Sequence, residues 1–394
     1  MTTSAMPALP TCIDAAHRTG EGAGHDTDVS GGNAVKATVL HTVGEPAVID
    51  ELTLRDLGPD DVRVRLAASG VCHSDLSIID GGMPAVLPCS LGHEGAGIVT
   101  EVGSAVTTVK EGARVVLTWN DACRTCFHCL RGEPYLCTSG MNYIYDAPYA
   151  EGSDGPVWQS LGAGTLAEET VVPASAVIEI HPDLPLDLAS LLGCGVATGV
   201  GAAVRTAGIQ VGETVVVIGC GGVGLSAIQG ARLAGASRII AADRVASQLS
   251  AAKRNGATDV IDTSDMDLPT AVRELTGGVG VDHALEVVGL PETILSAYSS
   301  ARRGGVVTLV GAGRYDESVT FPALSLMADA KQIRGSVYGQ TDGTRDIPIM
   351  ATLAVTGRLD LQALVTERIR LDEVNAAFAS MAAGNGARRI VIFD

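Results

Sequence analysis

The sequence predicts an α/β protein in which a doubly wound parallel sheet follows a smaller, mostly antiparallel β domain. From residue 213 onward, short runs rich in β-branched residues alternate with stretches of helical spacing. Between residues 35 and 116, strand-like runs are instead separated by glycine and proline, which is typical of a barrel-like domain. We therefore expect a parallel sheet of about six strands in the second half, with helices on both faces.

Length, composition and charge limit the classes of function. The 394 residues are enough for two ordinary domains, and 46% of them are hydrophobic. The net charge of −18 disfavours nucleic acids and anionic membranes as partners, because both need a basic surface. Residues 1–33 lack periodicity and predict a disordered tail without a signal peptide. With no apolar run long enough to span a membrane, we expect a cytoplasmic protein.

A glycine motif lies between two predicted elements of the second half. Residues 215–218 form a β-branched run, and residues 225–234 have helical spacing. Between them stand the glycines of a G-x-G-x-x-G pattern: Gly219, Gly221 and Gly224. The first permits a tight turn, the second lets a pyrophosphate approach the backbone, and the third lets helix and strand pack closely. The motif predicts a dinucleotide site at the helix N-terminus; the alternative is a glycine-rich turn that serves packing alone.

An acidic residue ends the next predicted strand. Asp243 stands about 20 residues after the motif, where a carboxylate accepts hydrogen bonds from the adenosine ribose hydroxyls. The same carboxylate would repel a 2′-phosphate, and it therefore favours NAD over NADP. Arg244 weakens this preference, because an arginine at this position can bind a 2′-phosphate.

Four of the nine cysteines are closely spaced: Cys123, Cys126, Cys129 and Cys137. In a chain expected to be cytoplasmic, this density favours a closed tetrahedral Cys₄ zinc site over disulfides. Such a site has no open position for substrate, so its zinc would be structural and would contribute folding free energy to the lobe around it. Four unrelated thiols and a redox pair are the alternatives. His128 lies inside the lobe and is expected to face solvent.

Several motifs, taken in order, resemble those of the zinc-dependent medium-chain alcohol dehydrogenases. They are GVCHSD at 70–75, GHEGAG at 92–97, the cysteine lobe, GCGVATG at 193–199, GCGGVG at 219–224 with AADR at 241–244, and GSVYG at 335–339. The similarity covers about residues 35–394 and points to the long-chain, dimeric branch with liver-type and class III-like members. It implies a GroES-like catalytic domain at 34–195 and 339–394, with the structural zinc lobe at 119–140. A Rossmann NAD-binding domain would span 196–338.

The resemblance also implies a catalytic zinc with an open fourth position. Its ligands would be Cys72, His93 and Cys194, a Cys₂His set that suits Lewis-acid catalysis. Two zinc ions per subunit and NAD are the cofactors that the resemblance implies. Taken singly, Cys194 could instead be a buried thiol and His93 a core histidine.

Further residues receive roles from the same resemblance. Ser74 would be the first acceptor of the alcohol proton, and Asp75 and Glu94 would orient or tune the ligands. The cofactor would be held by the motif glycines together with His73, Thr198, Gly222, Val223, Asp243, Arg244 and Arg388. The alternatives are helix N-cap roles for Ser74 and Asp75, and a surface salt bridge for Arg388.

Departures from the family pattern bear on the substrate. Many liver-type members end their proton relay in a histidine where this chain has Ser77, so the end of the relay stays open. Glutathione-dependent members use an acid and an arginine at the positions of Met83 and Met141, which disfavours a glutathione adduct. Trp119 is expected to wall the pocket. We therefore expect a primary alcohol as the substrate, with aromatic or medium-chain alcohols favoured.

The resemblance also predicts a homodimer, because dimeric family members keep a long segment at the position that follows Cys137 and this chain keeps it too.

Two other functions remain open at this level. One is a formaldehyde dehydrogenase that acts on the adduct with another low-molecular-weight thiol. The other is a non-catalytic NAD-binding subunit or sensor. The presence of Cys72, His93, Cys194 and Ser74 argues against it.

Overall fold

A computed structural model describes residues 34–138, 147–314, 317–384 and 388–393. The predicted tail at 1–33 and the position of Met141 lie outside the described residues. Within these ranges the chain forms three β-sheets and the helices that cover them, and the α/β prediction is confirmed.

The elements are numbered in chain order. The strands are β1 (Val35–Leu40), β2 (Val48–Leu54), β3 (Asp61–Gly70), β4 (Cys89–Ser90), β5 (Glu94–Val102), β6 (Arg114–Leu117), β7 (Ala150–Gly152), β8 (Gly155–Gln159), β9 (Glu169–Pro173), β10 (Val177–Glu179), β11 (Thr214–Ile218), β12 (Arg238–Asp243), β13 (Asp259–Asp262), β14 (Val281–Glu286), β15 (Ala301–Leu309), β16 (Gln332–Gly335), β17 (Glu367–Ile369) and β18 (Arg389–Ile392). The α-helices are α1 (His73–Ile79), α2 (Phe127–Leu130), α3 (Leu186–Ala189), α4 (Gly195–Gly201), α5 (Gly222–Ala234), α6 (Ala246–Arg254), α7 (Leu268–Leu275), α8 (Pro291–Ser300), α9 (Ala323–Ala328), α10 (Gly343–Val355) and α11 (Val374–Ala382).

The first half of the chain forms a closed barrel and a second, largely antiparallel sheet. The barrel order is β1-β2-β7-β8-β4, and the second sheet runs β10-β6-β5-β3-β18-β17, with β9 paired to β3. Strands β17 and β18 come from the last part of the chain, and β18 pairs antiparallel with β3. The tail of the sequence therefore completes a sheet that the first half begins.

The second half forms the predicted parallel sheet. Its six strands follow the order β13-β12-β11-β14-β15-β16, and every pairing is parallel. Val215, Val217 and Ile228 are completely buried between this sheet and helix α5. Since right-handed crossovers place the strand ends at one edge, the turn after β11 opens on the edge where such sheets bind ligands.

Three local predictions differ from the structure. Helix α5 begins at Gly222, three residues before its predicted start, because the last three motif residues already form its first turn. The sequence pattern of residues 138–164 predicts a loop, but within its described part β7 and β8 form a hairpin that the barrel stabilises by pairing both strands. The sequence pattern predicts that helix α8 continues to Arg302, but the helix ends at Ser300 and β15 begins at Ala301, because sheet pairing overrides the continued helical spacing.

The sequence pattern predicts a helix over residues 184–204 that the glycine-rich run at 193–199 interrupts, and the structure shows this segment divided. A 3₁₀ turn at Ser190–Gly193 leads into Cys194, and α4 follows it. In the described ranges no single helix is long and apolar enough to cross a membrane. The bent pair Leu186–Gly193 and Gly195–Ala207 has the required length and composition, but most of its residues are buried in the protein's own core.

Candidate active site and metal centres

Four side chains from distant parts of the sequence meet at one buried point. One ligand atom each from Cys72, His93, Glu94 and Cys194 lies within 4.8 Å of the others. Cys72 precedes α1, His93 and Glu94 stand at the start of β5, and Cys194 lies between the 3₁₀ turn and α4. The Nε2 atom of His93 is buried and has no hydrogen-bond partner among the described residues. Two thiols and an available imidazole nitrogen fit the donor set of a catalytic zinc.

Asp75 sets the orientation of His93. Its Oδ1 lies 3.2 Å from Nδ1 of His93 and also accepts the backbone N–H of Gly92, at 2.9 Å. With Nδ1 as the donor, Nε2 is left as the free acceptor that a metal needs. The N-cap alternative for Ser74 and Asp75 is wrong, because Cys72 is the N-cap of α1 and no side chain caps this helix.

The charges around the cluster favour thiolate chemistry. The hydrogen bond from Cys194 lowers the pKa of Cys72, and the same bond raises the pKa of Cys194. Burial lowers the pKa of His93, but the neighbouring Asp75 carboxylate and Cys72 thiolate together raise it above its usual value. Without a metal, the two thiols compete for one negative charge. A bound divalent cation would stabilise both of them as thiolates.

Glu94 and Arg388 form a buried ion pair beside the cluster. Nη1 of Arg388 lies 2.9 and 2.8 Å from the two carboxylate oxygens of Glu94, and the backbone N–H of Gly195 donates to the same carboxylate at 3.1 Å. Burial raises the pKa of Glu94 to about 7, while Arg388 acts in the opposite direction. Arg388 is only 3% exposed, so the alternative of a surface salt bridge is wrong.

The glycine motif has the geometry that a dinucleotide requires. Gly219 has φ +93°, which allows the turn, and a Cβ atom at Gly224 would collide with the carbonyl oxygen of Gly219. A Cβ atom at Gly221 would meet nothing within 4 Å, so open space lies beside the backbone where a pyrophosphate would approach. A Cβ atom at Gly222 would collide with Arg388, whose Nε has no partner among the described residues. The residues present therefore fit the pyrophosphate of a dinucleotide.

Asp243 lies at the end of β12, beside the same turn. Its Oδ2 accepts the backbone N–H of Cys220 at 2.7 Å, and its Oδ1 accepts that of Val245 at 2.9 Å. These two bonds hold the carboxylate next to the turn, while each oxygen keeps a second lone pair for a ribose hydroxyl. Arg244 is exposed.

The remaining predicted cofactor residues lie on three helices and differ in burial. His73 is the first residue of α1 and is exposed, and Thr198 and Val223 are half-buried on α4 and α5. These two helices touch where Gly199 meets Val223, since a Cβ atom at Gly199 would collide with the Val223 carbonyl oxygen. Ser74 lies next to the metal cluster, with its Oγ 3.8 Å from Sγ of Cys72.

The four lobe cysteines also converge. Cys123, Cys126, Cys129 and Cys137 place their sulfur atoms within 4.8 Å of one another. The backbone N–H groups of Cys123 and Cys126 point at sulfur atoms of the lobe, at 3.3 Å each. Such N–H donors stabilise thiolates. Backbone donors, first that of Thr125, lower the pKa of Cys123 to about 5.

His128 stands apart from the four lobe sulfurs. It is half-buried, and its Nδ1 lies 3.1 Å from a carboxylate oxygen of Glu133. The lobe is joined to the rest of the protein by Arg124, which makes two bonds of 2.8 and 2.9 Å to the carboxylate of Asp342.

Two aromatic residues near the cluster were only partly anticipated. Trp119, expected to wall the substrate pocket, packs edge-on against Tyr338 with ring centroids 5.0 Å apart. Tyr338 lies in the GSVYG motif at 335–339 but received no role from the sequence, because the contacts of a single tyrosine in a glycine-rich turn depend on residues far away in the chain. Arg124 and Asp342 were missed for the same reason.

The chain matches two family models. Residues 58–182 match the alcohol dehydrogenase GroES-like domain, and residues 222–355 match the zinc-binding dehydrogenase family. Among curated proteins, the S-(hydroxymethyl)glutathione dehydrogenase of Escherichia coli O6:H1 is 35% identical over 367 residues, which cover 90% of this chain and 99% of that relative.

Solved structures give the same result. An alcohol dehydrogenase zinc-binding domain protein from Burkholderia ambifaria is 34% identical, with a TM-score of 0.87. Benzyl alcohol dehydrogenase from Acinetobacter calcoaceticus is 31% identical, with a TM-score of 0.85. Each comparison covers 92% of this chain and 99% of the other. The chain therefore belongs to the zinc-dependent medium-chain alcohol dehydrogenases, oxidoreductases that act on CH–OH groups with zinc and NAD as cofactors.

Proposed function

We propose that the protein oxidises a primary alcohol, aromatic or medium-chain, to its aldehyde. The reaction converts R–CH₂OH and NAD⁺ into R–CHO, NADH and one proton. The observation that carries this proposal is the position of Arg388, which pairs with Glu94 in the metal cluster and packs against Gly222 in the dinucleotide turn. The two sites are thus neighbours, as hydride transfer between alcohol and nicotinamide requires.

The donor set is part of the same proposal. Cys72, His93 and Cys194 would hold one zinc, and the four lobe cysteines would hold a second, structural zinc. Zinc bound at the first site supplies Lewis acidity that lowers the pKa of an alcohol, and NAD supplies the hydride acceptor. Ser74 would accept the alcohol proton, because its Oγ lies beside Sγ of Cys72 at 3.8 Å.

The two neighbouring carboxylates, Asp75 and Glu94, affect the orientation of a ligand and the charge of the site. Asp75 holds the imidazole of His93 through Nδ1, which directs Nε2 to the ligand position. Arg388 neutralises Glu94, so that a buried carboxylate stands next to two thiolates without a large electrostatic cost. Thr198 and Val223 would orient the nicotinamide from the contact between α4 and α5.

The substrate class rests on the side chains around the pocket. Trp119, which packs against Tyr338, would supply an aromatic wall, and Met83 packs half-buried against the apolar cluster that contains Ile78. The structural neighbour named as benzyl alcohol dehydrogenase supports an aromatic alcohol. The relatives named as S-(hydroxymethyl)glutathione dehydrogenases support a second candidate, the oxidation of a formaldehyde–thiol adduct. Met83 is an apolar side chain where a glutathione adduct would need an acid, so an adduct with another low-molecular-weight thiol fits this second candidate better.

A substrate panel tests the two candidates. Purified protein is mixed with NAD and benzyl alcohol, octanol, ethanol, or formaldehyde with glutathione or another low-molecular-weight thiol, and NADH absorbance is followed. We expect the highest kcat/KM with benzyl alcohol or octanol, and Met83→Asp should reduce it. A preference of tenfold or more for a thiol adduct, which corresponds to about 1.4 kcal/mol, would favour the second candidate.

Asp243 is proposed to set the preference for NAD. In Asp243→Gly, the ratio of kcat/KM for NAD to that for NADP should fall by at least about tenfold, because juxtaposed like charges cost several kcal/mol. Asp262→Gly is the matched control, since this acid ends the neighbouring strand β13 and is exposed. A wild-type protein that uses NADP better than NAD would contradict the assignment.

The domain division and the location in the cell complete the proposal. The GroES-like catalytic domain would comprise residues 34–195 and 339–394, and the NAD-binding domain residues 196–338. Strands β1 to β10 with β17 and β18 support the first unit, and the parallel sheet supports the second. A cytoplasmic location agrees with free thiols in two metal-binding clusters.

We propose a homodimer that joins the parallel sheets at strand β16. This strand is the edge of the described sheet, and Leu324 and Met327 on α9 are 72% and 71% exposed. A sheet edge with exposed apolar side chains on a neighbouring helix is protected by pairing with its symmetry mate. Sedimentation should give twice the 40.2 kDa of one chain. Leu324→Glu should dissociate the dimer, whereas Leu130→Glu, at an equally exposed lobe position, should not.

A further inference from the structure

A buried tyrosine connects the metal cluster with two other segments. Tyr338 is 3% exposed and lies in the turn between β16 and α10. Its hydroxyl donates to the carbonyl oxygen of Gly193 at 2.8 Å. It also lies 3.1 Å from Oγ1 of Thr118, which must then be the donor, because the single phenol proton is already used. One hydroxyl thus joins the turn before Cys194 to the segment before Trp119.

The acceptor is the residue that directs Cys194. Gly193 ends the 3₁₀ turn Ser190–Gly193, so its carbonyl has no partner within that turn. Cys194 then has φ −140° and ψ −77°, which are not helical values, before α4 begins. A Cβ atom at Gly193 would collide with the carbonyl oxygen of Leu117, so the turn is packed tightly against β6. The hydrogen bond from Tyr338 fixes the direction of this turn and, through it, of the Cys194 thiol.

The backbone of Tyr338 is held in a conformation that tyrosine rarely adopts. Tyr338, Gly339 and Gln340 have φ values of 51°, 64° and 53°. Two non-glycine residues in the left-handed region persist only where their surroundings hold them. Thr341 supplies one such contact, since its Oγ1 donates to the carbonyl oxygen of Ala197 in α4 at 3.1 Å. These contacts therefore hold the turn in a conformation that places the phenol hydroxyl next to the Gly193 carbonyl.

We propose that Tyr338 is a positioning residue that acts through its hydroxyl on Cys194 and through its ring on Trp119. This inference rests on the proposed function, because it takes Cys194 as a zinc ligand. Removing the hydroxyl leaves the Gly193 carbonyl buried without a donor, so the turn can move and the thiol with it. Groups that orient metal ligands typically change metal affinity about 10- to 100-fold when they are removed.

The experiment compares zinc release from purified holoprotein variants. Wild type, Tyr338→Phe and Tyr298→Phe are loaded with zinc and mixed with a coloured zinc chelator, and the release of each ion is timed. Tyr298→Phe is the matched control, because Tyr298 is also buried and its hydroxyl lies 3.0 Å from Ser325 Oγ, in the packing of the parallel sheet. The cobalt-substituted proteins provide absorption spectra that separate a Cys₂His site from a Cys₄ site.

We expect one of the two zinc ions to leave Tyr338→Phe about tenfold faster than wild type. The visible bands of the Cys₂His cobalt site should shift in Tyr338→Phe alone. Zinc release and cobalt spectra equal to wild type would overturn the inference, and so would faster release of the Cys₄ ion only. A wild-type protein with fewer than two zinc ions would contradict the proposed function instead.

Thr118→Val tests the same inference if Tyr338→Phe does not fold. Thr118→Val keeps the phenol but removes the threonine hydroxyl that donates to it, so the zinc of the Cys₂His site should leave this variant faster than it leaves wild type. Release at the wild-type rate in Thr118→Val would then overturn the inference.

Discussion

Replacing Cys194 by serine is expected to abolish alcohol-dependent reduction of NAD while leaving the protein folded. Cys194 supplies one of two thiolates to the buried cluster, and a serine hydroxyl is a poor substitute for a soft thiolate ligand. Loss of Lewis acidity removes several kcal/mol of transition-state stabilisation, so kcat/KM should fall by roughly 10³-fold or more. Metal analysis should give one zinc per subunit in this variant and two in wild type.

The control for this variant is Cys89→Ser. Cys89 is also completely buried and lies in strand β4, outside both cysteine clusters. Its replacement should leave the zinc content and kcat/KM close to wild type, although a buried hydroxyl lowers the free energy of unfolding somewhat. A Cys194→Ser protein that is folded, keeps both zinc ions and is fully active would contradict the ligand assignment.

Replacing Cys123 by serine is expected to damage folding more than chemistry. A structural zinc contributes about 10–16 kcal/mol of apparent binding free energy in small zinc domains, whereas whole native proteins are stable by about 5–15 kcal/mol. Even a partial loss should lower Tm by at least about 10 °C. Protein that remains folded should retain the zinc of the Cys72 site and its cobalt spectrum. Limited proteolysis should cut the variant within the lobe, which wild type protects.

His128→Ala provides the matched control within the same lobe. His128 pairs with Glu133 and lies outside the four sulfur positions, so this variant should lose at most about 1 kcal/mol. A His128→Ala protein that loses zinc would show that the histidine is a ligand. Cys123→Ser with unchanged Tm and two zinc ions would contradict the structural site.

The parts of the molecule that could be predicted are those encoded by neighbouring residues. The turn after β11 needs glycines at fixed spacing, and the structure shows the φ of Gly219 and the tight packing at Gly224 that such a turn requires. The lobe cysteines are close in sequence, and their sulfur atoms lie close together in space. The six-stranded parallel sheet followed from alternating strand and helix patterns, which each element carries within its own few residues.

The parts that could not be derived from local pattern depend on distant segments. Spacing alone does not connect Cys72 with Cys194, because sheet pairing and helix packing bring them together; the family resemblance was needed for that grouping. The hairpin of β7 and β8 was missed because its strands are stabilised by β2 and β4 rather than by their own sequence. Tyr338 was missed because its acceptor, Gly193, is 145 positions away.

The insertion of β18 between β3 and β17 has a consequence for the order of events during synthesis. The sheet that carries Glu94 acquires β18, and with it Arg388, only after the entire NAD-binding sheet has been translated. Domains generally fold as units, N-terminal parts first. The parallel sheet can therefore form on the ribosome while the first sheet still lacks an inner strand. Glu94 stays without its cationic partner until Arg388 emerges, so the site matures as a late step of folding.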